Sequence, residues 1–175
     1  DIARAAGAKV PFLRPEPLGR DPYGVVDVCM HVLDEYERRN RIFKRLIILL
    51  PTCPFRSSGD IVEADRFFTN YKAKFLMSVS EVSENPYGAL MEDPKLEGTM
   101  VPCFPQGIGK KRHELPRTYR CNGAVSIFDV PAYREAGTDY GIPLFTYIMP
   151  WQRSVDIDTE MDFRFAEFLV QQGMV

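Results

Sequence analysis

Metal clusters, secretion, membrane insertion and nucleic-acid binding all find little support in this sequence. Its 175 residues include only two histidines, His31 and His113, and four cysteines, Cys29, Cys53, Cys103 and Cys121. No CxxC pair occurs and neither histidine falls at a zinc-ligand spacing, which argues against structural zinc. The cysteines are scattered through apolar stretches, a pattern of small buried hydrophobes in a reducing compartment rather than a disulfide framework, so the expected location is cytoplasmic. The longest apolar run, residues 46–50, falls far short of the roughly 20 residues a membrane span needs, and no segment has the form of a signal peptide. A net charge of −2, from 22 basic and 24 acidic residues, supplies no broad cationic field for nonspecific nucleic-acid binding. Any phosphate must then be handled locally. Internal repeats and low-complexity tracts are absent. The chain opens on Asp1 rather than methionine, in a segment that reads as the end of a helix running into a strand, and this predicts a truncated start.

With 45% hydrophobic residues, the chain is long enough for one substantial core and short for two, so residues 1–175 are expected to form a single domain. Asp21-Pro22 reads as an N-cap with proline at the first helical position, and Val25, Val28, Cys29, Val32, Leu33 and Tyr36 recur at helical spacing up to about Asn40. "LIILL" then reads as a central strand covered on both faces. After the loop "PTCPFRSSGD" comes a helix marked by Ile61, Ala64, Phe67, Phe68 and Tyr71, with Ser58 or Asp60 as its cap. "KFLMSVSEV" follows as a strand. Strand, helix and strand in that order predict an α/β fold with a mostly parallel central sheet flanked by helices, binding its ligands at the carboxyl ends of the strands. Residues 83–120 have weak periodicity and carry Lys110, Lys111 and Arg112, which predicts an excursion from the sheet. Two more strands, "GAVSIFDV" and "LFTYIM", are separated by a loop with Gly137 and Gly141. Thr159 with Asp162 three residues on resembles a capping box for a final helix whose apolar face holds Phe165, Phe168 and Leu169, closed by Gly173.

Three constellations carry chemistry. In "SVDIDTEMDF", Asp156 and Asp158 lie one residue apart on an extended segment, so period-two alternation puts both carboxylates on one face. Like charges held that close call for a hard divalent ion with oxygen ligands, here magnesium; the alternatives are two solvated carboxylates, or Asp158 serving the helix N-terminus. In "LLPTCPFR", Thr52 and nearby amides sit at a strand's end where they can meet a base or ribose, although such a turn is also ordinary α/β architecture. Cys53 lacks a supporting histidine and reads as a packed cysteine rather than a nucleophile. In "KKRHELPRTYRCNGA", Lys111, Arg112, Arg117 and Arg120 precede a strand that opens with Asn122-Gly123. Arginine forks suit phosphate and carboxylate groups, and a solvated basic loop is the alternative. His113 is expected to be exposed.

In order, "KVPFLRP", "LLPTCPFRSSGDIVEA", "ELPRTYRCNGAV" and "SVDIDTEMDFRFAEFLV" resemble the acylneuraminate cytidylyltransferases over nearly the whole chain. The resemblance implies a Rossmann-like nucleotide-diphospho-sugar-transferase fold and a homodimer built partly by the arm at 83–120. It also implies magnesium-dependent transfer of CMP from CTP to a nonulosonic acid, with release of pyrophosphate. On this sequence Asp156 and Asp158 match the metal-binding pair, Arg112 an arginine facing phosphate or sugar, and Asn122 an active-site asparagine. Arg120 is a further candidate, and Thr52 and Cys53 occupy the loop beside cytidine. The "RTYRCNGA" segment leans toward sialate or legionaminate over pseudaminate. Departures from the family pattern are Leu50 in place of glutamine, Cys53 in place of serine and Ser126 in place of tyrosine. The family's opening strand and glycine-rich phosphate loop have no counterpart here, which predicts weak or no turnover by these 175 residues alone. Alternatives are a non-catalytic dimerisation or ligand-binding fragment, and an enzyme activating another 3-deoxy-ulosonic acid such as Kdo.

Overall fold

A computed structural model describes residues 1–175. Strand β1 (Arg45–Ile48), β2 (Phe75–Glu81), β5 (Tyr119–Asp129) and β6 (Leu144–Ile148) form the main sheet in the order β1-β5-β2-β6. A separate ribbon pairs β3 (Leu90–Glu92) with β4 (Met100–Pro102). The helices are α1 (Ile2–Ala5), α2 (Val25–Glu37), α3 (Ser58–Asn70), α4 (Val130–Ala136) and α5 (Glu160–Gln171).

The α/β class holds, but the mostly parallel sheet does not. Only the β2–β6 ladder is parallel, while β5 runs antiparallel to both β1 and β2. Strands β1, β2 and β6 therefore still share one direction, with β5 inserted against it between β1 and β2. That insertion also corrects the reading of "LIILL". Its strand lies at the sheet edge, half-exposed, with Ile47 and Leu49 open to solvent. The strand covered on both faces is β2, six of whose seven residues are buried. Its alternation divides the core: Leu76 joins Ala64, Phe68, Val125 and Ile127 under α3, whereas Phe75 and Met77 join Leu33, Phe128 and Tyr133 under α2 and α4.

The local starts and stops follow side-chain chemistry. Ser57, rather than Ser58 or Asp60, caps α3, and Asp60 returns the bond as the third helical residue. Helix α2 begins after Gly24, whose N–H donates to Asp27, because the chain from Asp21 to Gly24 is still turning. Helix α4 stands where only a loop was expected: Asp129 caps it and Gly137, at φ +62°, ends it. Residues 9–15 pair with no strand, and Phe12 packs on His31 and Tyr36 of α2 instead. Helix α5 bears out its capping box and its left-handed Gly173. The face it buries holds Ala166 and Leu169, with Phe163, Phe165 and Phe168 substantially exposed. Of the cysteines only Cys53 is fully buried, and Cys121 is exposed.

Candidate active site

Because β5 opposes its neighbours, its first residues meet the carboxyl ends of β1, β2 and β6 along one edge of the sheet. A cleft of about 750 Å³ opens there, lined by Glu81, Glu84, Arg112, Arg120, Asp156 and Asp162, with Trp151 and Phe165 among its apolar walls. Ligands of α/β sheets commonly gather at such an edge.

Its floor is a bulge in β5. Between the pairs Met77–Ser126 and Val79–Cys121, β2 spends one residue, Ser78, while β5 spends residues 122–125. Ser78 pins the excess: its hydroxyl donates to Asn122 Oδ1 at 2.5 Å and accepts from Val125 N–H at 2.7 Å. Gly123 takes the left-handed turn at φ +69° beside Leu50 and Cys53. From the β1–α3 loop, Arg56 donates to the carbonyls of Leu50, Cys53 and Ala124 at 2.6, 3.2 and 3.3 Å, tying that loop to the bulge.

The segment 151–158 forms one wall. Asn122 Nδ2 donates to Ser154 Oγ at 2.8 Å, and Ile157 N–H donates to Thr52 O at 2.9 Å. Val155 and Ile157 pack with Ala166, Leu169 and Phe55, so alternation leaves Asp156 on the opposite side, toward the cleft. Asp158 is exposed and lies outside the cleft lining, its N–H donating to Asp162 Oδ2 at 3.2 Å. No ion pair within the chain engages Asp156 or Asp158. Asp156 Oδ1 has only the Cys53 sulfur as a potential donor, at 3.6 Å, and the single thiol proton has a nearer acceptor in Asn122 O at 3.0 Å. Burial, and then the Asp156 charge, push the Cys53 thiol up to about 11. This cysteine is a protonated packing group, not a ready nucleophile.

Behind this wall lies a carboxylate the sequence reading passed over except as a helix cap. Asp60 is only 2% exposed. Its oxygens accept from Arg153 Nη2 and Nε at 2.8 and 3.1 Å, from Ser57 N–H and hydroxyl at 2.8 Å each, and from Tyr147 at 3.3 Å. Burial alone would raise its pKa, but the Arg153 guanidinium and the Ser57 donors outweigh burial and hold it at about 2.

The candidates taken from the sequence thus occupy three levels. Asp156, Arg112 and Arg120 line the cleft. Asn122, 2% exposed, and Cys53 lie beneath it, and half-buried Thr52 joins the β1–α3 loop to the wall. Asp158 stands outside, and His113 is exposed on the arm. Arg112 reaches back across the arm to Ser83 O at 3.2 Å. Sequence reasoning missed Glu81, Glu84, Trp151 and the roles of Arg56, Asp60 and Arg153. For Glu81 the signal was available: it ends β2 at the carboxyl edge.

No family model matches the chain. Individual proteins do. It is 29% identical over 173 residues to the CMP-N,N'-diacetyllegionaminic acid synthase of Legionella pneumophila, and 29% identical over 171 residues to an N-acylneuraminate cytidylyltransferase of Escherichia coli. The chain is thus similar over nearly its whole length to acylneuraminate and legionaminate cytidylyltransferases. A Campylobacter coli protein named post-translational flagellin modification protein B is 28% identical over 174 residues. Each match covers 98% of this chain, and respectively 73%, 39% and 72% of the other protein. The similarity therefore runs through every segment that builds the cleft.

Proposed function

We propose that this chain is a nucleotidyltransferase domain that moves CMP from CTP to the anomeric hydroxyl of a nonulosonic acid of the sialate or legionaminate type. The hydroxyl oxygen attacks the α-phosphorus, the bond from that phosphorus to the bridging oxygen breaks, and pyrophosphate and one proton leave. The observation that carries the reading is the convergence of Asp156, Arg112 and Arg120 in one cleft at the strands' carboxyl edge, in a chain similar throughout to such enzymes. Arg112 and Arg120 offer forked donors to phosphate or to the acceptor's carboxylate. The acidic groups Glu81, Glu84 and Asp162 around them favour hydroxyl-bearing ligands over a second polyanion.

The donor set suits magnesium. Asp156 alone of the expected pair faces the cleft, without a cation, while Asp158, two residues on, is exposed outside the lining, so the chain would supply a magnesium there with a single cleft-facing carboxylate. Magnesium is commonly held by one or two carboxylates, with substrate phosphates and water completing its octahedron. When bound, it would polarise the phosphate and lower the acceptor hydroxyl's pKa. We also propose a homodimer through the arm at 83–120, whose ribbon leaves Leu90, Met91 and Met100 exposed for a second copy to cover. A Rossmann-like nucleotide-diphospho-sugar-transferase fold accords with the edge-on cleft and the shared direction of β1, β2 and β6.

The test is pyrophosphate release dependent on both CTP and acceptor, measured on the full-length protein with a panel of nonulosonic acids. Asp156→Ala is expected to lower it at least about 100-fold, and Asp158→Ala, outside the lining, by a smaller factor. Unchanged synthesis of the CMP-sugar by both variants would sink the reading of the acidic pair. Turnover with pseudaminate alone would sink the acceptor assignment.

A further inference from the structure

We infer that Asp60 and Arg153 are a positioning pair that sets where Asp156 stands in the cleft. The inference deepens the transfer reading and rests on it for its kinetic part. Segment 151–158 has no ladder of its own: it leaves β6, makes one short helical turn through Trp151–Ser154 and continues extended to α5. Such a segment is located by what holds it. Ser154 is fixed by Asn122, and Ile157 by Thr52. The third anchor is Arg153, whose fork meets both oxygens of a carboxylate rooted in the first turn of α3.

The first two anchors are single neutral hydrogen bonds, weaker and less directional than a charged fork. The third is a two-point, charge-assisted contact between a half-exposed guanidinium and a buried carboxylate, and removing Arg153 leaves that carboxylate with only the Ser57 and Tyr147 donors. It is the one ion pair on the wall, three residues upstream of Asp156. The charge also has a reason to be there beyond packing: an apolar pair could fill the same volume, but it would not fix the direction of the segment as a planar fork does. Neither residue lines the cleft, so both act through Asp156 and not on substrate.

Trp151, the only tryptophan of the chain, lies on the same turn, stacked on Phe165 with 17° between the rings, and reports the segment without reference to activity. Arg153→Gln in the full-length protein, assayed well below its melting temperature, is expected to lower kcat about 10- to 100-fold with little change in the KM for CTP, as displaced catalytic groups do. Acrylamide quenching of Trp151 should rise in parallel. Arg153→Lys restores the charge but not the fork, so it should recover more stability than kcat. A merely structural role would return both together. Asp60→Asn keeps the side-chain shape and serves if Arg153→Gln fails to fold. Arg134→Gln, which removes surface pairs to Asp34 and Glu37, is the control expected to change neither readout.

Wild-type kcat and quenching in a folded Arg153→Gln would overturn the inference. If the unsubstituted protein releases no pyrophosphate from CTP, the transfer reading has failed instead. The quenching comparison of Arg153→Gln with Arg134→Gln then decides by itself whether the pair locates the segment.

Discussion

Replacing Gly123 by alanine tests the bulge on which the cleft floor depends. The residue sits at φ +69°, and a Cβ there would lie 3.0 Å from Leu50 Cδ1 and 3.1 Å from Cys53 Sγ. Holding an L-residue in the left-handed region costs about 1–2 kcal/mol. Forcing a methyl into a packed site costs a further 1–3 kcal/mol or so. Leu50 can swing its terminal methyl aside, but Cys53 is fully buried and donates to Asn122 O at 3.0 Å, so part of the packing cost remains. The sum is about 2–4 kcal/mol, which for a chain of this size lowers Tm by roughly 5–15 °C. A thermal scan followed by circular dichroism, backed by urea unfolding with an unchanged m-value, measures it. Adding Cys53→Ala should return the packing share and leave the backbone share. A Tm within about 1 °C of the parent protein would refute the argument, since either cost alone predicts more.

Two further outcomes follow from the ionisable groups. The folded-state pKa of Asp60, about 2, lies below its ordinary 3.8. Its contribution is therefore complete above about pH 4 and is lost as the pH falls toward 2, a loss of about 2 kcal/mol. Urea unfolding at pH 7 and pH 3 should show Asp60→Asn trailing the parent by less at the lower pH, and an equal gap at both would contradict the assignment. For the cysteines, alkylation at pH 8 with mass mapping should modify exposed Cys121 first and Cys53 last. A buried thiol with a pKa near 11 is ionised only about once in a thousand molecules at that pH. Early labelling of Cys53 in the folded protein would contradict its placement.

Much of the fold was legible because its signals are local. Thr159 and Asp162 announce the start of α5 and Gly173 its end, and each of these bonds joins residues a few positions apart. The helix at Ser58–Asn70 and the strand at Phe75–Glu81 were likewise visible in apolar spacing. Even α4 had its signals in Asp129, Pro131 and Gly137, yet a helix of seven residues between two strands is too short for a period to emerge. The candidate site was legible in part: Asp156, Arg112 and Arg120 do meet in one cleft, whereas Asp158, expected on the same face as Asp156, stands outside its lining.

What the sequence determined by itself, then, was the identity and limits of most elements and the residue types available for handling a phosphate. Tertiary structure alone decided that β5 would enter between β1 and β2, leaving the apolar "LIILL" run at an edge and burying β2 instead. It also decided that Asn122 would serve the floor and Arg112 the cleft, and that Asp60 would meet Arg153 across 93 positions. Caps and periods act within one or two turns of chain. Strand pairing and burial of charge depend on which distant segments close together, and no local pattern encodes that choice.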